Sequence, residues 1–195
     1  VPHVLSKRKR IIGKVTSKYW VRTLKFGIKV PKTMDEAIKY GENGNKLWWT
    51  AICQEMTNVR PAFEKWDKDI SEIPAGYKPI TCHWIFNIRM GENFRRKAQY
   101  VADGHKTETP EAMTYSSVVS RDSVRIALTI AALNGLEVMA CDNQNAYLTA
   151  DCRERVYIIA GKEFGSDEKS VMIIRKALYG LKSSGAAFRA HLAQT

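Results

Sequence analysis

The sequence predicts an α+β fold, and three observations carry that reading. Apolar residues recur at helical spacing in residues 33–59 and 120–133, with start and stop signals at their ends. A strictly alternating stretch at 80–90 is followed by a turn and a returning strand, the pattern of a β-hairpin. Further strand-like runs after residue 134 mix with helix signals without the regular alternation of a βαβ array.

The chain has 195 residues, 45% of them hydrophobic, enough for one good-sized domain or two small ones with a buried core. No apolar run has the length of a bilayer-spanning helix, and nothing resembles a signal peptide. Cys53, Cys82, Cys141 and Cys152 are widely spaced and form no CxxC, so neither a disulfide framework nor a zinc site is indicated. The expected setting is reducing and intracellular, cytoplasmic or nuclear, with no membrane partner.

The net charge is +11 and the pI near 9.6, which favours polyanionic partners, nucleic acid first. Residues 1–34 hold ten cations and no acid, so the remainder is close to neutral and any basic site there is local. Residues 1–17 read as a basic tail. Its run Lys7, Arg8, Lys9, Arg10 suits a nuclear-localisation cluster or a nucleic-acid-binding arm, although such a charge run is more often a merely solvated segment.

Two helices are predicted next, broken at "GENGN". Thr33 caps the first, with Glu36 three residues on. In the second, Leu47, Ile52, Met56 and Val59 recur near helical spacing with Trp48 alongside, and Pro61 ends it. "EKWDKDISEIPAGYKP" reads as loop. In "ITCHWIFNIRM", Ile80, Cys82, Trp84, Phe86, Ile88 and Met90 share one face, and "FRRKAQYVADGHK" returns after "GEN". Arg89, Arg95, Arg96 and Lys97 gather near the tip, either blunting an edge strand or contacting phosphate. In "SRDSVRIALTIAALNG", Ser120 or Asp122 is the cap, and Val124, Ala127, Leu128 and Ala131 the buried face. "LEVMACD" is expected as a strand ending at Asp142. "RVYIIA" and "SVMIIRKALYGLK" supply further strands. A last helix opens at "SSGAAFRAHL", with Ser183 or Ser184 as cap.

The chemistry centres on "ACDNQNAYLTAD". There is no GxGxxG, P-loop, GxSxG or HExxH. An aspartate closing an apolar strand is costly to bury without a partner such as a metal ion. From pattern alone an aspartate at a strand end is more often a turn or cap residue than a metal ligand.

Six segments, "KLWWTAICQEM", "HWIFNIRM", "RRKAQYVADGH", "YSSVVSRDSVRIALTIAAL", "EVMACDNQNAYLTA" and "RKALYGLKSSGAAFRAHL", occur in the order and approximate spacing of the Ty1/copia-type retrotransposon reverse transcriptase. The chain resembles that family over about residues 20–195. The resemblance implies a right-hand polymerase fold, with the fingers and a partial palm in residues 18–195, truncated before the second catalytic motif. It implies RNA-directed DNA polymerisation, with an RNA template, a DNA primer, dNTP and Mg²⁺.

By that resemblance, Asp142 looks like the first catalytic aspartate, binding metal with the Asn143 carbonyl. Tyr147 looks like the ring under the incoming sugar, where a 2′-hydroxyl would clash. Tyr179 and Gly180 look like the turn lining the nucleotide pocket. Arg95, Arg96 and Lys97 look like part of the fingers hairpin that closes over the triphosphate. Lys182 would face the template or stand exposed. The chain departs from the family pattern at Gln99, Asp103 and Phe188, where Arg, Gly and Trp are usual. Losing a cation and gaining an anion there would weaken nucleotide binding unless neighbouring cations compensate. The family's "Y.DD" aspartate pair does not occur in these 195 residues. The expectation is a polymerase fragment inactive alone; the alternative is a non-catalytic nucleic-acid-binding remnant or reused module.

Overall fold

The computed structural model describes residues 24–39, 45–90, 94–107, 114–116 and 118–194. The basic tail, including Lys7, Arg8, Lys9 and Arg10, lies outside the described residues, as does the hairpin tip at 91–93. The chain is mixed α and β with several small sheets, and it divides into two compact units.

The first unit comprises residues 1–58 and 82–101. Its described part opens with the hairpin β1 (Leu24–Lys25) and β2 (Ile28–Lys29), pairing Leu24 with Lys29 and Lys25 with Ile28. Helix α1 (Met34–Lys39) starts as its sequence predicts. The Glu36 N–H donates to Thr33 Oγ1 at 3.1 Å, and Glu36 Oε2 accepts from the Lys32 N–H at 2.6 Å. The first bond satisfies a donor that the first helical turn would leave orphaned, and the second ties the residue ahead of the cap back to that turn.

Helix α2 (Asn45–Val59) buries Trp48, Ile52, Met56 and Val59, spaced four, four and three apart. Leu47, expected in this stripe, is 49% exposed, whereas Trp48 is 1% exposed. Consecutive helical residues differ by about 100° in direction, so only one of the two can face inward. Strands β5 (Cys82–Ile88) and β6 (Arg96–Ala102) form the predicted hairpin. The Arg89 N–H donates to the Arg95 carbonyl at 2.9 Å near its tip. Phe86 and Ile88 are buried, but Met90 has left the strand and is exposed. Trp48 meets Phe86 edge-on at 5.4 Å, and Trp84 packs on Tyr100 at 5.0 Å. Glu55 Oε1 accepts the Tyr100 N–H at 3.0 Å. Burial pushes the Glu55 carboxyl above its ordinary value, against the pull of that N–H and of Lys97.

The second unit comprises residues 59–81 and 102–195. Its four-stranded sheet uses β3 (Phe63–Lys65), β4 (Lys78–Pro79), β7 (Val156–Ile159) and β8 (Val171–Ile174), in spatial order β3, β8, β7, β4. β8 runs antiparallel to both neighbours, with Ile173 opposite Glu64 and Tyr157, and β4 runs parallel to β7. β7 and β8 were legible as apolar runs. β3 and β4 lie at the edges of a segment that reads as loop, because strands of two or three residues are too short to show a period. Ile158, Met172, Ile173 and Leu178 are fully buried. Phe63 meets Phe164 edge-on at 5.2 Å.

Helix α3 (Arg121–Leu133) is capped by Ser120, whose Oγ accepts the Ser123 N–H at 3.0 Å; Asp122 lies inside the first turn. Gly135 stops the helix in the left-handed region (φ 61°). Two expectations fail beyond this point. Of the predicted buried face only Ala131 is buried, while Val124 and Leu128 are exposed. The expected strand at 136–142 does not form, and Met139 is 92% exposed. An extended segment becomes a strand only by pairing its backbone, and no described strand of this chain pairs with it.

Helix α4 (Ser184–Leu192) closes the described chain. Neither predicted serine caps it by side chain. Both are buried and committed elsewhere: Ser183 Oγ donates to Glu154 Oε1 at 2.7 Å, and Ser184 Oγ to the Leu178 carbonyl at 2.6 Å.

Candidate functional site

The second unit brings an aromatic group together from three separate stretches of sequence. Tyr147 sits on a short 3₁₀ turn (Ala146–Thr149), entered through Asn145 in the left-handed region (φ 55°). Its ring lies 4.9 Å from Tyr179, tilted by 48°, and 6.1 Å from Phe188 of α4. Beneath it lie Ala150, Ala177 and Ala187, all buried. Small residues there let the turn, the β8 exit and α4 approach closely, leaving the tyrosine half-buried. Gly185 serves the same end, since a methyl there would come within 3.2 Å of Ser116 Cβ and 3.9 Å of the Tyr147 hydroxyl. Phe188 contributes an aromatic edge to Tyr147.

Tyr179 and Gly180 form a tight turn, with Gly180 at φ 96°. The Tyr179 carbonyl accepts the Ala102 N–H at 2.8 Å. Lys182, on the far side of the turn, is half-buried and donates its Nζ to the Thr107 carbonyl. Asp103 is buried and neutralised locally. Its Oδ2 accepts from Lys106 Nζ at 2.7 Å and from the Thr81 hydroxyl, and Lys106 also donates to Thr81 Oγ1 at 3.0 Å. The negative charge that Asp103 adds is therefore balanced by its own cation.

Sequence reasoning missed the buried polar clamp under α4. Glu154 Oε1 accepts both the Ser183 N–H (2.8 Å) and the Ser183 hydroxyl (2.7 Å). The Cys152 thiol donates to the Glu154 carbonyl, and burial pushes that thiol up to about 11. Glu154 lies in "DCRERV", where it looks like one charge among several. Only the 29-residue separation from Ser183, closed by folding, gives it a role.

Asp142 and Asn143 are exposed on the irregular segment after α3, so Asp142 carries no burial cost. Among the described residues no three His, Cys, Asp or Glu side chains gather as a metal site. Mg²⁺ takes several hard oxygen ligands in near-octahedral geometry. Arg95, Arg96 and Lys97 belong to the first unit, where Arg95 Nη2 reaches Gln54 Oε1 at 3.5 Å and Arg96 Nη1 donates to the Phe94 carbonyl at 2.7 Å. No described helix is long and apolar enough to cross a membrane.

Residues 64–195 match the reverse transcriptase (RNA-dependent DNA polymerase) family, and the chain belongs to that family. It is of the Ty1/copia type. It is 28% identical over 161 residues, 79% of its length, to the retrovirus-related Pol polyprotein from transposon TNT 1-94 of Nicotiana tabacum, of which it covers 12%. It is 29% identical to the Pol polyprotein from transposon RE1 of Arabidopsis thaliana, over 83% of this chain and 11% of that one. It is 29% identical to the Ty1-BL Gag-Pol polyprotein of Saccharomyces cerevisiae, over 78% of this chain and 9% of that one. The chain thus spans about a tenth of the length of these relatives. No solved structure matches it with significance.

Proposed function

We propose that the chain is the fingers and first half of the palm of an RNA-directed DNA polymerase. Its substrates would be an RNA template, a DNA primer and dNTP, with Mg²⁺ as the metal of the complete enzyme. The observation that carries this reading is the half-buried ring of Tyr147, held at 4.9 Å from Tyr179 beside the Gly180 turn. A rigid aromatic flanked by a close-approach glycine forms a floor on which a nucleotide sugar can rest. In this reading Tyr147 excludes a 2′-hydroxyl, and Tyr179 and Gly180 line the pocket. Lys182 holds the turn and faces the template. Arg95, Arg96 and Lys97 contact the triphosphate. Asp142 and the Asn143 carbonyl are the oxygens this chain would contribute to metal binding. The tail cations Lys7, Arg8, Lys9 and Arg10 would contact nucleic-acid phosphate.

The test is calorimetric titration of the chain with unlabelled dUTP and UTP, with and without Tyr147→Val. Wild type should prefer the deoxynucleotide. Truncating the ring should narrow that preference, by roughly ten- to two-hundred-fold at most for a pocket contact of this size. Equal binding of both nucleotides by wild type, or a ratio untouched by the substitution, refutes the reading.

A further inference from the structure

We propose that the first unit carries a base-stacking platform for single-stranded nucleic acid, built from Phe26 and Phe94. It goes beyond the nucleotide pocket and requires neither Asp142 nor Tyr147. The two rings stack on each other with centroids 5.4 Å apart and planes 30° from parallel. They come from separate hairpins, and each remains in solvent, Phe26 at 44% exposure and Phe94 at 42%.

Their backbone makes the arrangement unusual. Phe26 and Gly27 are the two-residue loop joining β1 to β2, both at positive φ (54° and 74°). That is the signature of a hairpin turn whose first position favours Asn, Asp or Gly. Phe94 is also at positive φ (47°). Two bulky residues therefore occupy left-handed positions that a smaller residue would fill at less cost, and each displays its ring. Stacking of the two rings offsets part of that cost, and it leaves both rings partly in solvent at one place on the surface.

The chemistry around the rings selects the ligand. Lys25 Nζ lies 5.5 Å from the Phe26 centroid and donates to Asn87 Oδ1 at 2.7 Å. Arg96 is tied to the Phe94 carbonyl, and Arg89 and Arg95 are exposed on the same hairpin. The described part of this unit contains nine lysines and arginines against Asp35, Glu36 and Glu55. Exposed aromatic faces among cations suit unpaired bases on a phosphate backbone, whereas a duplex hides its base faces.

The experiment is fluorescence anisotropy with a fluorescein-labelled oligoadenylate and an abasic strand of equal length and charge. Wild type should bind the oligoadenylate more tightly. Phe26→Asn suits the turn better than Phe, so the fold should be kept or stabilised while oligoadenylate binding weakens by roughly five- to hundred-fold. Phe94→Ala should weaken it similarly, Phe94→Trp should preserve it, and abasic binding should stay unchanged throughout. Equal affinity for the two strands, or Phe26→Asn without effect on oligoadenylate, overturns the platform. Displacement of the strand by polyglutamate at equal charge concentration overturns it too, in favour of an acidic protein partner. The nucleotide-preference assay with Tyr147→Val is independent, so failure of either reading leaves the other standing.

Discussion

Gly104 and Gly180 meet backbone to backbone: a methyl group on Gly104 would lie 2.3 Å from the Gly180 carbonyl oxygen and 2.9 Å from Leu181 Cα. Through this contact the connection leaving β6 lies directly on the turn that carries Tyr179. The Ala102 N–H to Tyr179 carbonyl bond and the Lys182 to Thr107 bond close the same junction on either side. Gly104→Ala therefore has no room unless the backbone shifts. The expected cost is about 1–3 kcal/mol, the range for forcing atoms into a filled site. Thermal unfolding measures it, and a variant as stable as wild type would show that the two segments separate freely.

The Glu154–Ser183 clamp should behave as one unit. Glu154→Ala leaves a buried N–H and a buried hydroxyl without their acceptor, a loss of about 1–3 kcal/mol. Ser183→Ala removes only the hydroxyl bond and should cost less. A double-mutant cycle by urea denaturation should give a coupling of about 0.5 kcal/mol or more, and additive losses would mean the carboxylate is held by other groups.

Asp167 accepts from Lys65 Nζ at 2.9 Å and from Arg60 Nη2 at 2.6 Å, and these bonds hold its carboxyl below the ordinary aspartate value. A depressed folded value means the stabilisation is present above the unfolded pKa and is lost as pH falls through the folded one. The stability gap between wild type and Asp167→Asn should stay constant above about pH 5 and shrink as pH drops below about 4. Denaturation curves across that range check the sign. A gap that widens in acid contradicts it.

Asp142 is exposed and ends no strand in this chain, so Asp142→Asn should change stability by no more than about 0.5 kcal/mol. The chain alone, with poly(rA), oligo(dT) and Mg²⁺, should extend no primer, because these 195 residues contain no Y.DD pair to join Asp142 in a two-metal clamp. Template-dependent synthesis abolished by Asp142→Asn would disprove that expectation.

Local patterns made the elements that close on themselves legible. The β5–β6 hairpin follows from a period of two and a turn between its halves. The Thr33–Glu36 cap and the Gly135 stop depend on residues within one helical turn. The tyrosines at 147 and 179 were visible as candidates through their family resemblance. Their mutual packing was not, because no sequence pattern reports a 4.9 Å approach between rings so far apart in the chain. The aromatic pair Phe26–Phe94 was hidden for the same reason, and because its left-handed backbone contradicts residue preference.

By itself the sequence determined the α+β class, the Ty1/copia kinship and the charge excess of the leading segment. Tertiary structure decided which of Leu47 and Trp48 faces the core, and that β3 and β4 flank a sheet. It also decided that residues 136–142 remain unpaired, and that Glu154 finds Ser183. The physical reason is the range of the interactions. Caps, turns and periodicity act within a few residues and are written locally. Strand pairing, burial and polar clamps depend on which distant surfaces are available, and the chain has to fold before that is known.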